Sequence, residues 1–237
     1  EFLLLATRRV LVHAMAPVAA AWLLFFALAL VSWWQERLQR EQAVAMFGRF
    51  LDPRVVGQLV AVGGVASAQS TQAREITMLF SDIRGFTTLS ERSTPEQVVA
   101  LLNEYFSRQV QVIFRRQGTL DKFIGDAIMA FWGAPAEDAR HAVNAVDAAL
   151  DMVDELMRFR DSLGEAGAQF DVGIGIHTGP AVVGFIGSQD RLDYTAIGDS
   201  VNLSSRIEGA TKGVARILVS ESTRQACGDV FDFVDHG

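Results

Sequence analysis

From Val10 to Trp34 the chain carries no Asp, Glu, Lys or Arg, a run of 25 residues. A membrane-crossing helix needs about 20 predominantly apolar residues, so no other feature constrains the chain as strongly. Arg8 and Arg9 flank one end; Glu36, Arg37 and Arg40 flank the other. Trp33 and Trp34 stand where an interfacial aromatic belt would lie. We therefore expect transmembrane sequence within residues 1–34. Pro17 would kink that helix or confine it to the part that follows, about 17 residues and at the lower limit for spanning. A buried core helix is the alternative, but core helices rarely run so long without a charge. A cleaved signal peptide fits less well, because the run is too long and lacks a small-residue cleavage site. FLLLA, residues 2–6, reads as the end of a preceding span, which leaves orientation open.

The rest of the chain has a different character. Residues 35–60 read as a helix leaving the membrane, with Leu38, Val44 and Phe47 near one stripe and a break at Pro53. VGGVASAQST, residues 62–71, is small and rich in Gly, Ser and Ala, and reads as a linker. The expected organisation is a membrane segment (1–34), a juxtamembrane helix and linker (35–73) and a globular domain (74–237). The chain opens inside an apolar run without Met and stops inside an expected strand, so both ends read as cut. Net charge is −7 and pI about 5.1, which gives no basic face for nucleic acid. A lone Cys227 excludes an internal disulfide framework and fits a reducing compartment. Lys122 and Lys212 are the only lysines.

Within the globular domain the periods mix. EITMLFSD reads as a buried strand ending in an acid. Thr94 is an N-cap, Pro95 the first helical residue and Gln97 the closure of a capping box, with the helix running to about Gln117 and ending at Gly118. GTLDKFIGDAIMAFWG reads as strand, turn, strand. Residues 137–160 read as an amphipathic helix. FDVGIGIHTGPAVVGFIG reads as two strands around His177-Thr178-Gly179. Asp199 is the expected cap of DSVNLSSRIEG, and strands are expected near Ile217 and Phe231. The class is α/β or α+β, with helices packed on a mixed sheet.

Asp126 interrupts an apolar run, where an unpaired carboxylate is costly. Gly125-Asp126 is explained by a hairpin turn alone, and Asp82 at a strand end by a helix cap. Together they are two carboxylates at rigid strand ends, an arrangement that suits a hard cation completed by phosphate oxygens. Gly85 allows close backbone approach, and the amides of Gly85, Phe86 and Thr87 could bind phosphate. Asn202 and Arg206 are four apart and share a helix face, a good pair of donors for charge developing on phosphate. A solvated face explains them equally well in isolation.

FSDIRGFTTLSE, DKFIGDAIMAFWG, GIGIHTGPAVVGFIG and YTAIGDSVNLSSRIE closely resemble the class III nucleotide cyclases in order and spacing, over residues 74–237. The resemblance implies a ferredoxin-like sandwich that works as a homodimer and makes a cyclic nucleotide from a nucleoside triphosphate. Asp82 and Asp126 match the aspartates that hold two divalent cations, Mg or Mn, and Ile83 the residue lending a carbonyl to one of them. Asn202 matches the residue that orients the ribose, and Arg206 the arginine that stabilises the transition state. Lys122 and Thr195 match the two positions that choose the base, and Lys with Thr reads adenine. The resemblance thus implies an adenylate cyclase acting on ATP: the 3′ oxygen attacks the α-phosphorus and pyrophosphate leaves. It also implies that the aspartates and the base- and transition-state-reading residues of one site come from opposite subunits. The expected location is a bacterial inner membrane with the cyclase domain in the cytoplasm, where ATP is.

The pattern departs from the family in two places. The family's triphosphate-binding lysine lies in a hairpin beyond the final strand here, and Lys212 is too early to replace it. A phosphate-contacting arginine of some members is replaced by Gly173-Ile174. Two rivals remain from the sequence. One is a guanylate cyclase, against which Lys122 and Thr195 argue. The other is a catalytically silent domain that dimerises or transmits a membrane signal. A diguanylate cyclase would carry a GGDEF-type signature, which is absent.

Overall fold

A computed structural model describes residues 20–38, 55, 71–91, 93–164, 167, 170–188 and 191–236. The chain divides into two units, 1–50 and 51–237. In the first, residues 20–38 form helix α1, whose large side chains, among them Trp22, Leu24, Phe26 and Trp34, are exposed. Among the described residues no helix is long and apolar enough to cross a membrane. The uncharged part of α1, residues 20–35, is about 24 Å long against a hydrocarbon core of about 30 Å. The first half of the charge-free run, with Pro17, lies outside the described residues, as does nearly all of the helix and linker expected over 39–70.

The second unit is built on β1 (Gln72–Arg84), which pairs antiparallel with β3 (Ala127–Trp132) on one side and β4 (Asp171–Gly187) on the other. β2 (Thr119–Ile124) extends the sheet beyond β3, and β5 (Leu192–Ile197) beyond β4, giving the order β2-β3-β1-β4-β5. β6 (Ile217–Val219) pairs with β4 in parallel, so the sheet is mixed as expected.

Both faces of the central strands are buried, which is why they read as unbroken apolar runs instead of alternating ones. On one face Leu79, Ile128, Ala130, Trp132, Ile174 and Ile176 meet α3 (Pro95–Arg115) and α4 (His141–Ser162) through Tyr105, Ile113, Met152 and Phe159. On the other face Ile76, Met78, Met129, Phe131, Ala181, Val183 and Ala196 form a second core. Tyr194 of β5 reaches into it, 6.2 Å from the Phe131 ring. The sheet therefore curls, carrying β5 back toward β3 and β2 although they stand at opposite ends of the strand order.

Several boundaries differ from the sequence reading. The capping box is present in full: Gln97 N donates to Thr94 Oγ1, and Thr94 N to Gln97 Oε1. The helix stops at Arg115, and it is Gln117, not Gly118, that takes the left-handed conformation (φ 63°). Gly118 is required because a Cβ there would lie 2.6 Å from Trp132 Cε2. α4 starts at His141, since Asp138 turns the chain first, accepting from Arg140 N and Asn144 Nδ2.

The expected turn at His177-Thr178-Gly179 is not one. β4 runs unbroken for 17 residues, because its polar residues are anchored sideways. Thr178 Oγ1 is 2.8 Å from Thr77 Oγ1, and His177 Nδ1 is 2.8 Å from Ser220 Oγ at the start of α6 (Glu221–Cys227). The helix expected to be capped by Asp199 is α5 (Asp199–Ala210); Gly198 is its N-cap and Asp199 its first residue. The strand expected near Phe231 is absent: a 3₁₀ turn over Gly228–Val230 leads into an irregular segment. There Phe231 and Phe233 cover the edge of the main core, so burial and not strand pairing accounts for their alternation.

Candidate functional site

β1 delivers Asp82 near its end, and the two-residue Gly125-Asp126 turn of the β2–β3 hairpin delivers Asp126. Gly125 has φ 64°, which suits glycine at a tight turn. The register Ser81↔Ile128 brings the two ends side by side. Asp82, Asp126, Ser205 and Glu208 line a cleft of about 290 Å³ with Phe80 and Ile124. Burial, then the Asp82 charge, push the Asp126 carboxyl up to about 6. Glu208 is also raised, by burial first and then by Asp82 and Asp126, with Arg84 opposing. Two carboxylates repelling each other in a partly desolvated cleft are an incomplete electrostatic arrangement that a cation would balance.

Among the described residues no three His, Cys, Asp or Glu are close enough to hold an ion by themselves. The donor set is thus a carboxylate pair without thiolate or imidazole. That fits Mg²⁺ or Mn²⁺, which take one or two carboxylates and complete the shell with water and substrate phosphates. Ile83 sits beside Asp82 with its side chain in the core and its backbone paired to Val172. Gly85 (φ 70°) makes the turn into α2 (Phe86–Glu91), and Phe86 and Thr87 open that helix, where first-turn amides have no intrahelical acceptor.

The second group of predicted residues gathers elsewhere. Lys122 lies on β2 and Thr195 on β5, and the curl of the sheet brings them together. The link is Asp121, which the sequence reading did not single out. Leu120 pairs with Ala130 and Lys122 with Met129, leaving Asp121 as the extra residue of a β-bulge. Bulges re-aim side chains beside functional sites. The Asp121 side chain is fully buried, and its Oδ1 is 3.4 Å from Lys122 Nζ. Its Oδ2 accepts from Thr195 Oγ1 at 2.7 Å and from Ala196 N at 3.2 Å. Burial pushes the Asp121 carboxyl up, while the Thr195 hydroxyl, the Lys122 charge and the Ala196 amide oppose it.

The third group lies on α5. This helix rests on a glycine track along β4, where a Cβ at Gly175 would lie 2.6 Å from both Ser204 O and Glu208 Cα. Ser204 Oγ lies 3.1 Å from the Met78 and Gly175 carbonyl oxygens and fastens the contact. Arg84 holds the end of the helix, donating to Thr211 O at 3.0 Å and Ala215 O at 2.7 Å. With 204 and 208 turned to the sheet, Asn202 and Arg206 are exposed, and neither lines the aspartate cleft. The structure thus joins Asp82 with Asp126 and Lys122 with Thr195, and leaves Asn202 and Arg206 facing outward. Glu208 and Asp121 were missed. The signal for Glu208 is its i+4 relation to the buried Ser204; for Asp121 it is a carboxylate inside a strand next to a lysine.

The family described as Adenylate and Guanylate cyclase catalytic domain matches residues 68–237. The chain belongs to that family. The cyclase domain is 43% identical over 162 residues to adenylate cyclase 1 of Rhizobium meliloti (strain 1021), covering 68% of this chain and 24% of that protein. It is 38% identical over 181 residues to the adenylate cyclase of Anabaena cylindrica, covering 74% and 36%. The chain spans well under half the length of these curated relatives. Among solved structures it is similar to the adenylyl cyclase CyaB from P. aeruginosa (38% identity, TM-score 0.64, 68% of this chain and 84% of that one). It is equally similar in fold to the guanylyl cyclase Cya2 (40% identity, TM-score 0.63, 67% and 81%). Relatives of both nucleotide specificities share this backbone, so the base preference is decided by side chains.

Proposed function

We propose that this chain is the catalytic part of an adenylate cyclase, converting ATP to 3′,5′-cyclic AMP and pyrophosphate at sites shared between two copies. The observation that carries the reading is the meeting of Lys122 and Thr195 on Asp121. A cation and a hydroxyl side by side match the acceptor and donor on the edge of adenine. Asp82 and Asp126, with the Ile83 carbonyl, would hold two divalent cations, Mg²⁺ or Mn²⁺. When bound, these supply a lowered pKa at the ribose 3′ hydroxyl and charge neutralisation on the triphosphate. Gly85, Phe86 and Thr87 present backbone amides to phosphate oxygens. Asn202 orients the ribose, and Arg206 donates to charge that grows on the phosphates as the 3′ oxygen attacks, an effect typically worth a hundredfold or more. Tethering nucleophile and electrophile in one substrate leaves positioning as the protein's main task.

The outward position of Asn202 and Arg206 supports a homodimer in which each site takes its aspartates from one copy and Lys122, Thr195, Asn202 and Arg206 from the other. The test is cyclic AMP formation with Mn²⁺ by the Asp126→Ala and Arg206→Ala chains, alone and mixed. Each alone should be inactive. The mixture should recover about a quarter of the wild-type rate, because random pairing gives half heterodimers with one intact site each. No cyclic AMP from the unmodified chain would refute the reading, and no recovery on mixing would refute the shared sites.

We also propose that the charge-free run from Val10 to Trp34 anchors the chain in the inner membrane, with the cyclase domain cytoplasmic and residues 35–60 passing a signal between them. The length of the run and its flanking charges and tryptophans support this. Release of the chain from membranes by salt or carbonate would refute the anchor. Cysteine cross-linking along residues 35–50 that shows no helical periodicity would refute the transducer.

A further inference from the structure

A hydroxyl reads nothing by itself. It has one proton to donate and two lone pairs to accept with, and it rotates to suit its partner. Adenine presents an amine donor at its 6-position, and guanine presents a carbonyl acceptor there. A threonine free to rotate could satisfy either base. Thr195 is not free, because its proton is committed to Asp121 Oδ2 at 2.7 Å. An ionised carboxylate only accepts, so the hydrogen bond has one direction. The Ala196 amide donates to the same oxygen and holds it in place. What Thr195 then offers the base is lone pairs alone.

We propose that Asp121 is a positioning residue for purine choice. It fixes Thr195 as an acceptor, so that the site takes a 6-amine and rejects a 6-carbonyl, and it holds the Lys122 ammonium beside the same base edge. The inference rests on the adenylate cyclase reading and adds to it a residue outside the base-contacting pair. The geometry supports it in three ways. The bulge at Asp121 sets two neighbouring residues of one strand toward one place. The Asp121 side chain is fully buried, and its Oδ1 has no hydrogen bond, only the ammonium 3.4 Å away. A buried carboxylate with an unfilled oxygen is costly as a mere tie between strands, and a hydrophobic contact would serve that purpose better.

The experiment compares ATP, GTP and purine riboside triphosphate, which keeps the ring nitrogen acceptor and lacks the 6-amine. Binding is read by displacement of a fluorescent ribose-labelled ATP analogue in Mn²⁺, alongside rates of cyclic nucleotide formation. In the unmodified chain, purine riboside triphosphate should bind roughly tenfold more weakly than ATP, the size of one unmet buried hydrogen bond, and GTP more weakly still. Asp121→Asn is isosteric and can either donate or accept, so both gaps should narrow by most of that factor. The change should appear in KM with kcat for ATP largely kept. A purely structural role would instead weaken all three nucleotides together and lower the melting temperature, and that result overturns the proposal. Equal binding of ATP and purine riboside triphosphate by the unmodified chain also overturns it, and needs no variant to fold. If the chain binds no labelled ATP and makes no cyclic AMP, the adenylate cyclase reading falls and this inference with it. If cyclic AMP is made but Asp121→Asn keeps the wild-type ratios, only the inference falls.

Discussion

Gly175→Ala is the substitution that most directly tests how the fold aims Arg206. The new methyl would lie 2.6 Å from Ser204 O and Glu208 Cα, with Glu208 N nearer still. All three are α5 backbone, so no side chain can swing aside. Relief to the 3.4 Å of ordinary contact requires α5 to retreat by at least 0.8 Å from those two atoms. The same movement stretches the 3.1 Å contacts of Ser204 Oγ with Met78 O and Gly175 O. Overpacking of this kind costs about 1–3 kcal/mol, and a weakened buried hydrogen bond about 1 more. A total near 3 kcal/mol lowers the melting midpoint of a domain this size by roughly 6–12 °C. Asn202 and Arg206 ride on the displaced helix, and a misplacement of about 1 Å can cost a hundredfold in rate. Thermal denaturation and cyclic AMP assays on Gly175→Ala should show both losses. Gly209→Ala, on the same helix with nothing within 4 Å of its Cβ, is the control and should be neutral or gain up to about 1 kcal/mol. A Gly175→Ala chain that melts and turns over like wild type would refute the claim that the glycine track sets the position of α5.

Three further outcomes are expected. The folded Asp126 carboxyl, at about 6, lies above its unfolded value, so the folded state holds the extra proton. Metal-free stability should therefore fall as pH rises from about 4 through 6, and Asp126→Asn should flatten that part of the profile, read by urea denaturation in a chelator. Thr94→Ala removes one half of a complete capping box and should cost about 1 kcal/mol of stability, with activity per folded molecule unchanged. Gly118→Ala drives a methyl to 2.5 Å from Cζ2 of the fully buried Trp132 ring and should cost about 1–3 kcal/mol, visible as a changed tryptophan emission spectrum.

Local signals in the chain carried a long way. The capping box, the Gly125-Asp126 hairpin and the buried apolar strands all stand where the residues place them, because each depends on neighbours only a few positions apart. Readings failed where distant partners outvoted local ones. His177-Thr178-Gly179 looked like a turn, but Thr77 and Ser220 take up its polar groups and keep β4 straight through it. Gly118 looked like a helix terminator, but its neighbour Trp132 is the reason for it. Phe231 looked like part of a strand, but its ring is held by the core and no strand pairs with it among the described residues.

The identities and spacing of Asp82, Asp126, Lys122, Thr195, Asn202 and Arg206 are properties of the sequence alone, and they were enough to point to the family and the reaction. Their grouping was not. Lys122 is four residues from Asp126, yet it associates with Thr195, more than seventy residues away, because a curled sheet joins β2 to β5 while the hairpin turn carries Asp126 to β1. Asp121 makes that junction through a bulge, and a bulge is a register relation between two strands that no single strand's sequence contains. The helix bearing Asn202 and Arg206 takes its orientation from glycines on another strand, where the absence of side chains acts only through what lies against them. Chemistry was legible because side chains are written in the sequence; which of them share a site depends on closing the sheet, and that is decided by packing over its whole length.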